Sequence, residues 1–65
     1  MSKILIIEDE ASIRRVLTKI ISEESDAYQV EEAEDGLLGI EKIKDNDYDL
    51  VLCDIKIYYA RIVFL

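Results

Sequence analysis

Two short runs of consecutive apolar residues constrain the fold of this chain most. Residues 4–7 (ILII) and residues 50–53 (LVLC) contain no polar side chain, and each run is followed at once by an acid, Glu8 or Asp54. A strand without alternation of polar and apolar residues is typical of a sheet covered on both faces, as parallel sheets are. The two runs therefore predict buried parallel strands in an α/β fold.

Two amphipathic helices are predicted between the strands. Residues 11–24 carry apolar side chains at i, i+3, i+4, i+7 and i+8, namely Ile13, Val16, Leu17, Ile20 and Ile21. Residues 37–44 also follow helical spacing, with Leu37, Ile40 and Ile43 at i, i+3 and i+6, although the preceding Asp35-Gly36 alone would favour a hairpin turn. Arg14 and Arg15 lie off the first apolar stripe, so we expect both to be solvated.

The remaining strand is predicted over residues 28–33 (YQVEEA), where polar and apolar residues partly alternate, as expected nearer the edge of a sheet. The element order is then β-α-β-α-β, which implies a parallel sheet with right-handed crossovers. We predict a partial doubly wound, flavodoxin-like sheet with strand order 2-1-3. Cys53 is expected to be a core residue of the third strand rather than a reactive thiol.

Composition excludes several classes of protein. The 65 residues include 8 basic and 15 acidic side chains, a net charge of −7, which argues against binding to nucleic acid or to an anionic membrane. One cysteine and no histidine exclude an intrachain disulfide and a thiolate zinc cluster. The lone cysteine and the lack of a predicted export signal or membrane span point to the cytoplasm.

Acidic residues follow the strands where a ligand would bind. Glu8 and Asp9 come directly after the first strand, and Asp54 ends the third. Ligands of doubly wound sheets bind at the carboxyl ends of the strands, where strand order 2-1-3 would bring these three carboxylates together. Their mutual repulsion favours a cation, and oxygen donors select Mg²⁺ rather than zinc or copper. A carboxylate beside Mg²⁺ can attack phosphorus, so we predict phosphoryl transfer to Asp54.

These residues carry a family resemblance. Residues 4–10 (ILIIEDE) resemble the opening of the receiver domain of two-component response regulators. Glu34-Asp35-Gly36 matches the acidic-glycine step before the second helix of the family, and residues 48–56 (YDLVLCDIK) are similar to the segment that holds its phospho-accepting aspartate. The resemblance covers residues 2–57.

The resemblance implies a role for each site residue. Asp54 would be the phosphorylation site, Asp9 a direct Mg²⁺ ligand, Glu8 a ligand acting through an intervening water, and the backbone carbonyl of Lys56 a further ligand. The phosphoryl donor would be a sensor histidine kinase. On this interpretation the chain is a signalling module and not an enzyme.

The end of the chain departs from the family pattern. Residues 1–57 are predicted to form a truncated receiver domain, and residues 58–65 an unmatched apolar tail. Later segments of the family carry a Ser or Thr that senses the phosphoryl group and a Lys that contacts it. We find no counterpart of these segments in this sequence, so we expect phosphorylation to be impaired. The tail has strong β-propensity. It would add a strand beside the third, or pair with another chain in a homodimer through strand exchange or edge pairing, and both interpretations stay open here.

Two other functions compete with the signalling module. The chain could be an inactive structural or assembly fragment. It could also be half of an aspartate-nucleophile phosphatase, but such an enzyme needs an Asp-x-Asp pattern after the first strand, and residues 8–10 read Glu-Asp-Glu.

Overall fold

The computed structural model describes the backbone of residues 2–54 and 61–64 and the side chains of residues 2–53. Six elements follow one another in these ranges: β1 (Ser2–Glu8), α1 (Ala11–Glu24), β2 (Tyr28–Ala33), α2 (Gly36–Asp45), β3 (Leu50–Asp54) and β4 (Arg61–Phe64). The predicted order β-α-β-α-β is confirmed, and the predicted bounds of α1 and β2 agree with those observed.

The strands form one sheet in the order β2-β1-β3-β4. β1 is parallel to both of its neighbours, with Ile4 level with Val30 on one side and with Leu50 on the other. The predicted order 2-1-3 and the predicted place of β2 at an edge are therefore confirmed. The described helices α1 and α2 are each too short and too polar to span a membrane.

The core lies around β1. Residues 4–7 are buried, and the side chains of Leu5 and Ile6 are completely removed from solvent. Leu5 and Ile7 pack with Ala33 and Val51 on one face of the sheet, and Tyr48 and Cys53 cover the rim of this cluster. Cys53 is thus partly buried against the core, as expected from the apolar run that contains it.

Asp35-Gly36 starts a helix and does not form a hairpin turn. The Asp35 side chain accepts a hydrogen bond from the amide of Leu38 (2.8 Å), which satisfies one of the free N–H groups in the first turn of α2. The Asp35 carbonyl accepts a second bond from the amide of Gly39 (3.0 Å). The helical spacing after Asp35 therefore predicts the structure of this segment better than the turn signal of Asp35-Gly36 does.

α2 packs on the sheet through its smallest residue. Gly39 is the buried residue of this helix, and a Cβ atom added there would lie 2.8 Å from Cγ1 of Ile7 and closer still to its Cδ1. The apolar residues Leu37 and Ile40 are 70% and 53% exposed, so the spacing that predicted the helix does not identify its buried face. A close approach between helix and strand explains why glycine occupies a helix interior.

The apolar stripe of α1 also lies partly outside the core. Val16 and Ile20 are 56% and 53% exposed, whereas Leu17 and Ile21 are half-buried. The helix contacts β1 and β2 and covers that side of the sheet. The sheet-facing side of α1 is therefore narrower than its apolar stripe.

The described part of the tail forms a strand of the same chain. β4 runs antiparallel to β3, with Val63 level with Leu52 and Arg61 level with Asp54. The prediction of a strand added beside the third is confirmed. Residues 55–60 and Leu65 lie outside the described residues, so the domain boundary after residue 57 stays a prediction, as does a homodimer.

A polar cluster joins the strands near the amino end of β1. The Tyr48 hydroxyl donates to Oε1 of Glu31 (2.7 Å), and the ammonium groups of Lys3 and Lys42 lie 3.6 and 3.7 Å from the same carboxylate. The Lys3 amide donates to Asp49 (2.7 Å). The hydroxyl of Tyr48, followed by the two lysines, lowers the pKa of Glu31, and burial together with Glu31 raises the pKa of Tyr48 to about 12.

Gly39→Ala should lower the free energy of unfolding by about 1 kcal/mol. Overpacking against Ile7 costs roughly 1–3 kcal/mol, and the helix propensity of alanine returns about 1 kcal/mol. In an Ile7→Val background the closest atom, Cδ1, is gone, so the same substitution should cost less. Urea unfolding of the four proteins measures the coupling, and an equal penalty in both backgrounds would contradict close packing as the reason for this glycine.

Tyr48→Phe should destabilise the protein by about 1 kcal/mol at neutral pH, because it removes a hydrogen bond to a carboxylate. The raised pKa adds a pH dependence: the contribution of Tyr48 is full below its unfolded pKa of about 10 and is lost as the pH rises toward about 12. Denaturant unfolding between pH 7 and pH 12 should show the two proteins converging above pH 10. A constant difference across that range would show that the hydroxyl does not titrate as proposed.

Candidate functional site

The ends of β1 and β3 bring acidic residues to one edge of the sheet. Glu8 and Asp54 are paired positions of two neighbouring parallel strands, which places their backbones about 4.8 Å apart. Asp9 follows Glu8 directly and is exposed at the start of the connection to α1. We call Glu8, Asp9 and Asp54 the acidic edge. The strand order thus assembles the three positions that the sequence singled out, and their joint binding of a metal ion stays a prediction.

Glu8 is the buried member of the acidic edge, with only 2% of its surface exposed. It lies on the same face of β1 as Ile4 and Ile6, because side chains alternate along a strand. Its Oε1 accepts a hydrogen bond from the backbone amide of Glu10 (3.1 Å) just before α1 begins. The Glu8 carboxylate therefore holds the turn that carries Asp9.

Arg14 also fixes the turn of residues 8–10. Its Nη1 donates to the backbone carbonyl of Glu8 (2.7 Å), and its Nε donates to Oε1 of Glu32 in β2 (3.1 Å). The side chain of Arg14 is only 16% exposed. The prediction that Arg14 is solvated is therefore wrong, whereas Arg15 is exposed as expected.

The helical spacing contains a signal for the burial of Arg14. Arg14, Leu17 and Ile21 stand at i, i+3 and i+7, the spacing of a single helix face, and the two apolar members are half-buried. An arginine on the sheet-facing line of a helix must find acceptors for its guanidinium group. Sequence reasoning missed this role because it took the apolar stripe as the whole buried face of the helix, and Arg14 lies off that stripe.

The chemistry of the donor set fits Mg²⁺. The acidic edge offers carboxylate oxygens and no imidazole or thiolate, and hard divalent cations prefer such ligands. Among the side chains of residues 2–53, no three acidic, histidine or cysteine groups converge closely enough to hold a metal ion. The Asp54 side chain and the Lys56 carbonyl, the other predicted ligands, lie outside the described residues.

Comparison with known proteins identifies the family. The sequence model of the response regulator receiver domain matches residues 4–59. This chain belongs to the response regulator receiver family. Membership implies a part in phosphorelay signalling.

The receiver is similar to parts of several longer regulators. It is 43% identical over 54 residues to the transcriptional regulatory protein ResD of Bacillus subtilis, which is 83% of this chain and 22% of ResD. It is 42% identical over 55 residues to the response regulator ArlR of Staphylococcus saprophyticus, which is 85% of this chain and 24% of ArlR. A protein-glutamate methylesterase/protein-glutamine glutaminase of Lawsonia intracellularis is 34% identical over 56 residues, covering 86% of this chain.

The chain therefore spans less than a quarter of the length of these relatives, and only 16% of the Lawsonia protein. No solved structure matches the chain significantly. The region that the family model matches contains all three positions of the acidic edge.

Proposed function

We propose that this receiver accepts a phosphoryl group on Asp54 from a sensor histidine kinase, in a reaction that depends on Mg²⁺. The observation that carries the proposal is the register of the sheet, which makes Asp54 the neighbour of Glu8 and brings Asp9 to the same edge. Membership of the receiver family supports the same assignment. The similarity of residues 48–56 to the phospho-accepting segment of that family favours Asp54 over the other aspartates.

The proposed transfer is a displacement at phosphorus. A carboxylate oxygen of Asp54 forms a bond to phosphorus while the bond from phosphorus to the histidine nitrogen of the donor breaks. The nitrogen keeps the electron pair, and Asp54 becomes an acyl phosphate. Mg²⁺, when bound, offsets the negative charge of the phosphoryl oxygens.

The residues of this chain would hold the ion in different ways. Asp9 is exposed and can bind Mg²⁺ directly. Glu8 is nearly fully buried and accepts the amide of Glu10, which suits an indirect role through a water molecule. Asp54 and the carbonyl of Lys56 complete the proposed ligand set.

We further propose that the chain transfers signals without turning over a substrate of its own. Two relatives are named as methylesterases, but this chain aligns with 16% and 15% of their lengths. Its lone cysteine fits a reducing, cytoplasmic location. An inert assembly fragment is the alternative outcome of the tests below.

Incubation with acetyl phosphate and Mg²⁺ should add the mass of one phosphoryl group to the wild-type chain, as measured by intact mass spectrometry. Asp54→Asn should abolish this gain, because an amide is not nucleophilic toward phosphorus. The control Asp47→Asn removes the same charge at an exposed position before β3 and should leave phosphorylation unchanged. Equal phosphorylation of the Asp54→Asn variant would place the acceptor elsewhere, and an unmodified wild-type chain would favour the inert fragment.

Asp9→Asn should weaken Mg²⁺ binding by about tenfold or more, because it removes a charged direct ligand. A titration followed by backbone NMR shifts gives the dissociation constant without any phosphoryl donor. Asp26→Asn, at an exposed position in the connection before β2, is the matched control. Similar dissociation constants for the two variants would argue against Asp9 as a ligand.

A further inference from the structure

We propose that Arg14 is a positioning residue, which fixes the turn of residues 8–10 in the conformation that cation binding at the acidic edge requires. This inference rests on the proposed function, since the bound cation is Mg²⁺. Arg14 acts through the backbone of Glu8, and it is not itself proposed to touch the ion or the phosphoryl group.

The guanidinium group of Arg14 spans two strands. Nη1 donates to the carbonyl of Glu8 at the end of β1 (2.7 Å), and Nε donates to Glu32 in the neighbouring β2 (3.1 Å). A planar fork with five N–H donors in fixed geometry can make both bonds at once. The Glu32 carboxylate thus orients the guanidinium, and the guanidinium fixes the carbonyl of Glu8.

The two bonds to Glu8 act on opposite parts of the residue. Its carbonyl accepts from Arg14, and its carboxylate accepts from the amide of Glu10 (3.1 Å). Asp9 lies between these two held residues, and its own side chain is exposed. The backbone on each side of Asp9 is therefore fixed, while its carboxylate stays accessible to a cation.

Electrostatic repulsion and a positioning role predict opposite effects of removing Arg14 on Mg²⁺ binding. A positive charge beside the acidic edge repels a cation, so electrostatics alone would let its removal tighten Mg²⁺ binding. A positioning role requires the reverse, because a turn that samples other conformations holds Asp9 in the binding geometry less often. The sign of the effect therefore distinguishes the two explanations.

The experiment compares Mg²⁺ dissociation constants of the full chain, measured by NMR titration at constant ionic strength. Arg14→Gln and Arg14→Lys should both weaken binding by about tenfold, the size typical of residues that support metal ligands. Arg14→Lys retains the charge but cannot form the two-pronged bridge. The control Arg15→Gln removes the same charge from an exposed position and should bind Mg²⁺ as tightly as wild type or more tightly.

A measurement without metal tests the turn itself. Hydrogen exchange of the Asp9 and Glu10 amides should accelerate in both Arg14 variants and not in Arg15→Gln. Glu32→Gln removes the ion pair that orients Arg14 and should also accelerate exchange of the Asp9 and Glu10 amides, but by less than the Arg14 variants do. It provides the test if the Arg14 variants do not fold.

The outcomes separate the inference from the proposed function. Wild-type Mg²⁺ binding that Arg14→Gln leaves unchanged or tightens would overturn the positioning role alone. A wild-type chain that does not bind Mg²⁺ would overturn the proposed function and this role with it.

Discussion

The burial of β1 at the centre of the sheet is the constraint on which the other features depend. Leu5 and Ile6 are completely buried, one on each face, and the strand is hydrogen-bonded along both edges. A shift of one residue would exchange the two faces and put Ile7 or Asp9 in the position of Glu8. The core therefore fixes the acidic edge as well as the fold, because Glu8 takes its place from the residues that precede it in β1.

A carboxylate at the end of a buried strand needs compensation, since burying a charge without hydrogen bonds is costly. The start of α1 supplies part of it. The Glu10 amide donates to Glu8, and the positive end of the helix dipole lies next to the same residue. α1 also places Arg14 one helical turn after Glu10, within reach of the Glu8 carbonyl. The connection between β1 and α1 is thus held by groups that belong to the two elements it joins.

Local periodicity explains what the sequence could predict. The bounds of α1 and β2 follow from patterns within a few residues. The strand order, and with it the place of Asp54 level with Glu8, rested on the doubly wound arrangement expected of alternating strands and helices. The buried face of α2 could not be predicted in this way, because it depends on where Gly39 meets Ile7, a residue distant in sequence. For Arg14, the helical spacing indicates the face on which it lies, but not its acceptors on β1 and β2.

Positive and negative side chains are distributed differently at the two ends of the strands. Near the amino end of β1, Lys3 lies beside Glu31 and 5.1 Å from the centre of the Tyr48 ring, so positive and negative groups are mixed. At the carboxyl end the register gathers Glu8, Asp9 and Asp54, and Arg14 shares its charge with Glu32 in the adjacent strand. With a net charge of −7, the chain attracts cations in general, and the proposed metal site lies where the register brings acidic positions together. The hydrophobic pattern that buries β1 therefore sets where the acidic positions of the proposed phosphorylation site lie, and their carboxylates set the sign of the charge there.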